Sequence, residues 1–276
     1  MKLRTLLVLA LCAIILVAGT ACTAGSSYNG MTADQLIKNV EAASLNQSSS
    51  HIDATETVSG TIQEAGAGTS TINMVTHING DIDLQNKKMY MNAAINGSAA
   101  STMMNMQMQT YMLDNWMYVG INMMGNTTWM KVKLTDTLWD KEQSSLLQYK
   151  DLLKDTVEVN VVGEETINGV ACWKLNVQPD MEKLQGWYQT QMSGLLGNLS
   201  SGMDLSKMFK DVKITEWVAK DTYYTVKFDM TMSMDIEGVV ADVSTTMSMS
   251  NFNQPVTITL PAAASKATDV SSSYSY

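Results

Sequence analysis

The chain has 276 residues, with 18 Lys+Arg against 27 Asp+Glu and a net charge of −9. Arg4 is its single arginine. An acidic body with almost no guanidinium argues against nucleic acid and phosphorylated ligands as partners. Only two histidines and three cysteines are present, whereas methionine appears 23 times against three phenylalanines. Chemistry-bearing residues are scarce, and a soft sulfur side chain has replaced the usual core fillers.

In chain order, the first segment is an export signal over residues 1–21. Lys2 and Arg4 give a positive start, Leu6 to Val17 an apolar run of twelve, and Gly19-Thr20-Ala21 a small-residue exit. The run is too short for a membrane span of about 20 residues. Cys22 follows at once, and a polar tether occupies residues 22–30. This layout resembles a prokaryotic lipoprotein signal, which implies a diacylglyceryl anchor on Cys22 and a place at the extracytoplasmic face of the cell membrane. The alternative is plain secretion with cleavage after Ala21, and Gly19 suits it, since the lipoprotein pattern usually has an aliphatic residue there. Cleavage leaves 16 Lys+Arg against 27 Asp+Glu, a net charge of −11, and no arginine at all. With Cys12 removed and Cys22 lipidated, Cys172 stands alone and no internal disulfide can form.

Residues 31–261 read as one domain, because no proline-rich linker divides them, and residues 262–276 as a disordered polar tail. Thr32-Ala-Asp-Gln35 is a capping box that opens a helix with Leu36, Ile37, Val40 and Leu45 on one face. A second helix is expected from about 137 to 154, and a third from about 180 through Met181, Leu184, Tyr188, Met192 and Leu195. The remainder alternates as strands, about ten or eleven in sequential antiparallel order. Turns are expected at 85–87, Asn96-Gly97, Asp114-Asn115 and Asn168-Gly169. The fold class is therefore α+β or mainly β.

Side chains on a strand alternate between faces. MTMSMDI accordingly places Met230, Met232 and Met234 on one face, with Thr231, Ser233 and Asp235 on the other. The same phase groups Met104, Met106, Met108 and Met112, pairs Met89 with Met91, and sets Met247 with Met249. A rigid core is better made from Leu, Ile and Val, whereas a methionine wall re-forms around ligands of varied shape. These eleven residues are the candidate ligand-binding wall.

Four segments stand out together: MTADQLIKNVEAASLNQ after the tether, VVGEETINGVACWKLNV with its NG turn, ITEWVAKDTYYTVKFDM as a Trp-bearing hairpin, and FNQPVTITLP as a closing strand. In this order they resemble the LolA/LolB-like carriers and the LppX/LprG-type lipoproteins. The resemblance covers nearly all of the mature chain. It implies a strongly curved, incompletely closed β-barrel, covered on its concave face by about three helices, with a hydrophobic cavity between. It also implies binding of lipid or another hydrophobic small molecule. The lipoprotein chaperones use an arginine that the mature chain does not possess, so generic apolar binding is what carries over.

Two further readings remain. One is an interaction module that senses envelope state through a protein partner of unknown identity. The other is Cu(I) binding by the Met-x-Met pairs, since soft thioethers suit that ion; the regular alternation suits a sheet interior better, and no metal site or cofactor is assigned. Catalysis is not expected. His51 and His77 lie alone in strands, Cys172 has no paired base, and carboxylates such as Glu164 and Glu165 suit a solvated face.

Overall fold

Strict alternation draws nearly every described segment into a single sheet. The computed structural model describes residues 30–64, 68–99, 102–123, 125–134, 157–179, 210–236 and 238–271. Helix α1 spans Ala33–Leu45. The strands follow as β1 (Ser49–Glu64), β2 (Gly68–Asp83), β3 (Lys88–Ala99), β4 (Thr102–Leu113), β5 (Trp116–Met123) and β6 (Asn126–Lys133). After these come β7 (Val157–Ile167), β8 (Val170–Pro179), β9 (Lys210–Ala219), β10 (Thr225–Ile236), β11 (Val239–Ser250) and the short β12 (Thr268–Asp269). The sheet runs β12-β6-β5-β4-β3-β2-β1-β11-β10-β9-β8-β7. It is curved and open, with β7 and β12 as unpaired edges. All pairings are antiparallel except β12 on β6, which is parallel and two residues long.

The capping box forms as expected. Thr32 Oγ1 accepts from the Gln35 amide at 3.2 Å, and Gln35 Oε1 accepts from the Thr32 amide at 3.2 Å. These bonds satisfy two backbone donors that the first turn would otherwise leave free. Ala33, Leu36, Ile37 and Val40 then bury against Val159, Val161, Leu175, Val177 and Val218 of β7–β9. Leu45, at the last turn, stays exposed. The face that carries α1 is called inner below.

Among the described residues α1 is the one α-helix, so the expected cover of about three helices is not met there. The helices expected at 137–154 and from 180 lie outside the described residues. Twelve strands stand where ten or eleven were expected, the addition being β12.

Turn chemistry is met at two of the tight turns and corrected at one. Asp114-Asn115 has φ of 50° and 62°, and Asn168-Gly169 has 49° and 84°, the paired positive values that type I′ turns need. Asn96-Gly97, by contrast, lies inside β3, paired to Val75 and Met74 on one side and to Asn105 and Met104 on the other. Gly97 is there for space: its φ is 151°, and a Cβ would fall 2.1 Å from Asn73 O. Such close backbone approach within a strand marks a bend in the sheet.

The tail is a second correction. Residues 262–271 were expected to be disordered, yet Ala262–Lys266 form a 3₁₀ turn and Thr268–Asp269 pair with Met130 and Lys131. The FNQPVTITLP segment makes no strand. Instead Ile258, Leu260, Ala264 and Ala267 pack on Tyr90, Tyr111, Tyr118 and Trp129 of the outer face. That aromatic patch, with Tyr90 and Tyr111 centroids 4.7 Å apart, supplies the apolar area that orders a small-residue tail.

Candidate functional site

Registers run unbroken from β6 through β1 to β10, with shifts where β10 meets β9 and where β7 meets β8, so the face of each side chain can be followed from strand to strand. One row reads Met106–Ile95–Thr76–Glu56–Thr245–Met230–Ile214 from β4 to β9. The neighbouring row reads Met108–Ala93–Ile78–Ala54–Met247–Phe228. All eleven candidate methionines occupy this inner face. Met112, Met230, Met232, Met234 and Met247 are buried, and Met89, Met91, Met104, Met106, Met108 and Met249 are partly so.

The methionines are not spread evenly. β10 and β11 carry one group, β3 and β4 the other, and the two central strands β1 and β2 supply Ile52, Val58, Ile62, Ile72 and Ile78 with Met74. Among the described residues this cluster is drawn from strands alone. Met103 has the opposite phase and is 81% exposed.

Among the described residues a cavity of about 530 Å³ opens beside α1, lined by Gly30, Met31, Gln35, Lys38, Asn39 and Trp173. None of the eleven methionines lines it. Cys22, the candidate anchor, lies outside the described residues.

Sequence reasoning passed over the polar groups set into the apolar face. Glu56 is 4% exposed, Thr76 5% and Thr245 7%, side by side on β1, β2 and β11. Burial pushes the Glu56 carboxyl up to about 7, with the facing Thr245 hydroxyl pulling the other way. That hydroxyl closes no hydrogen bond of good geometry: Thr245 Oγ1 is buried without a partner. Glu216 on β9 is likewise buried and raised to about 7, but it accepts a 2.5 Å hydrogen bond from Thr225 Oγ1. The signal that could have found both is phase. Ile52, Ala54, Glu56 and Val58 share one parity, as do Ile214, Glu216 and Val218.

Among the described residues the outer face holds further titratable groups in hydrogen-bonded networks. His51 bonds Asp81 through Nδ1 at 2.7 Å and Asp53 through Nε2 at 3.1 Å. Burial opposes the imidazolium, but the hydrogen bond and charge of Asp81, joined by Asp53, outweigh it and raise the imidazole above its ordinary value. His77 Nδ1 meets Thr55 Oγ1 at 3.1 Å. Glu165 accepts from the Trp217 indole at 2.9 Å and from Lys174 at 3.0 Å, and those bonds hold its carboxyl low. Cys172 is buried against Trp217, Ala219 and Val226, and burial pushes its thiol up, away from the thiolate that a nucleophile requires. Among the described residues no group of three or more His, Cys, Asp or Glu side chains could hold a metal ion. No helix among them is long and apolar enough to cross a membrane.

The chain is similar to several solved structures. LprF from Mycobacterium bovis shares 15% identity over 83% of this chain and 96% of its own, with a TM-score of 0.44. A DUF1329 family protein from Desulfovibrio piger shares 12% over 80% and 92%, with a TM-score of 0.25. A β-barrel-like protein of the DUF1849 domain from Brucella abortus shares 10% over 74% and 99%, with a TM-score of 0.27. No curated protein matches the chain. Residues 32–269 match the model of DUF6612, a family of unknown function, and to that family the chain belongs.

Proposed function

We propose that the protein is an extracytoplasmic lipoprotein, anchored through Cys22, that binds a lipid or another apolar molecule against its methionine wall and carries out no catalysis. The observation that carries this reading is the shared phase of eleven methionines on one face of one sheet, in two groups flanking a stiffer centre. Thioether side chains have three rotatable bonds and little shape of their own, so such a wall can open around a ligand and close after it leaves. A chain of a dozen methylenes would gain on the order of 10 kcal/mol gross on burial, before association costs of several kcal/mol. Among the described residues the large apolar side chains exposed elsewhere (Leu45, Met103, Met123, Val162 and Val240) sit on five different elements, which gives the sensing alternative no patch there.

The test is direct. Protein purified from its own membranes is extracted and the extract analysed by mass spectrometry, alongside titration with an apolar dye. A co-purifying acyl chain and saturable dye binding are expected. A clean protein that binds no dye overturns the reading. Cys22→Ala should release the protein from membranes, and retention of that variant would remove the anchor.

A further inference from the structure

Glu56, Thr76 and Thr245 form a polar island in an apolar field. They are cross-strand neighbours on β2, β1 and β11, each more than nine-tenths buried. Above and below them along the strands stand Ala54, Val58, Ile78, Met74, Val243 and Met247. Ile95 and Met230 close the row on either side. A fold with no use for polarity would place apolar side chains at all three positions. A buried hydroxyl without a partner is costly, and a buried carboxyl more so. Glu216 shows how this same sheet settles a carboxyl it only needs to tolerate: it gives it the Thr225 hydroxyl at 2.5 Å. Glu56 has only the facing Thr245 hydroxyl, which acts on it without closing a hydrogen bond of good geometry.

Charge limits what could complete the island. By register, Lys227 on β10, Lys131 and Lys133 on β6 and Lys88 on β3 all belong to the outer face, so among the described residues of β1–β6, β10 and β11 the inner face carries no cation. An anionic head group would meet Glu56 with no cation of those strands to offset it. All three island side chains can accept a hydrogen bond, and an ammonium offers three donors and a positive charge. We infer that the island is a head-group subsite for an amine-bearing amphiphile, with Glu56 as the counter-charge and Thr76 and Thr245 as hydroxyl partners, while the methionines receive the chain. This rests on the apolar-binding reading above and names its ligand class. Burial holds the Glu56 carboxyl near 7, so an arriving ammonium would find it ready to ionise.

The experiment displaces an apolar dye from the full mature chain with three ligands of equal chain length: dodecylamine, dodecanol and dodecanoate. The amine is expected to displace at roughly tenfold lower concentration than the carboxylate, as a charge-assisted hydrogen bond would give. Glu56→Gln keeps the shape and removes the charge. It should weaken the amine about tenfold and leave the alcohol within about threefold. Thr245→Val, a second variant of similar shape, should weaken the amine by about threefold. If the carboxylate binds as well as the amine, or if Glu56→Gln leaves the amine unchanged, the subsite is overturned while apolar binding stands. The second of those results would identify adsorption to the acidic surface. If none of the three displaces the dye, both readings fall.

Discussion

The two ends of the inner face are built from different materials. Over β7–β9 the cluster under α1 uses Val159, Val161, Leu175, Val177 and Val218 with Trp173, and its one methionine is the partly buried Met31. From β10 across to β4 the same face turns to methionine. Branched side chains have few rotamers and hold a helix in one position, which suits a fixed joint. Thioethers tolerate repacking, which suits a surface that must change shape. On the proposed reading one sheet combines a rigid clamp and a compliant wall, and the boundary between the two clusters falls near β9, where Ile214 contributes to both.

Breaking the rigid end should have the largest effect. Leu175→Ala, at a fully buried position, should lower unfolding stability by about 3–4 kcal/mol in urea titrations, while dye binding at the wall persists. If binding disappears with it, the two regions are one cooperative unit and the division is false.

Glu56 and Glu216 allow the two regions to be compared by pH, because both carboxyls rise to about 7 in the fold from an ordinary value of 4.5. A raised carboxyl means the folded state holds the proton more tightly. Stability is therefore fully present below pH 4.5, falls as pH rises towards 7, and is level above it, by about 3 kcal/mol for each group. Urea midpoints at pH 5 and pH 8 should show the fall, and Glu216→Gln and Glu56→Gln should each remove a part of it. His51 adds to the same trend: its raised imidazole stabilises the fold below the unfolded value of 6.5, and that contribution fades as pH climbs through the folded one.

Met232→Leu sharpens the contrast at lower cost. A volume-conserving exchange should change stability by less than about 1.5 kcal/mol. Its effect should be on breadth, with fewer ligand shapes accepted when a series of apolar dyes is titrated. Equal breadth would mean that compliance is not what methionine supplies here. Thr32→Ala is the mildest test of the rigid end. Losing the cap should cost about 1 kcal/mol, read as a small drop in thermal midpoint with helical signal lost first.

Local pattern made much of the molecule legible. The capping box at Thr32–Gln35, the type I′ turns at Asp114-Asn115 and Asn168-Gly169, and the face of every candidate methionine all follow from short-range rules. Asn96-Gly97 shows where such rules stop. The dipeptide favours a turn, but β2 and β4 continue past it on both sides, and the glycine serves the close passage of Asn73 instead. The tail 262–271 failed for a related reason. Nothing in its own composition binds, and order comes from the Tyr90, Tyr111 and Trp129 patch more than a hundred residues earlier.

Alternation, and with it which side chains share a face, is written into the chain, because the two-residue period of a strand is a property of the backbone. Which strands meet is a matter of the assembled sheet. The neighbouring of Glu56 with Thr245 and Thr76, the tail on the outer aromatics, and a cavity beside α1 all depend on contacts between distant segments. Local chemistry cannot specify such contacts; they are set when one sheet has to satisfy all its registers at once.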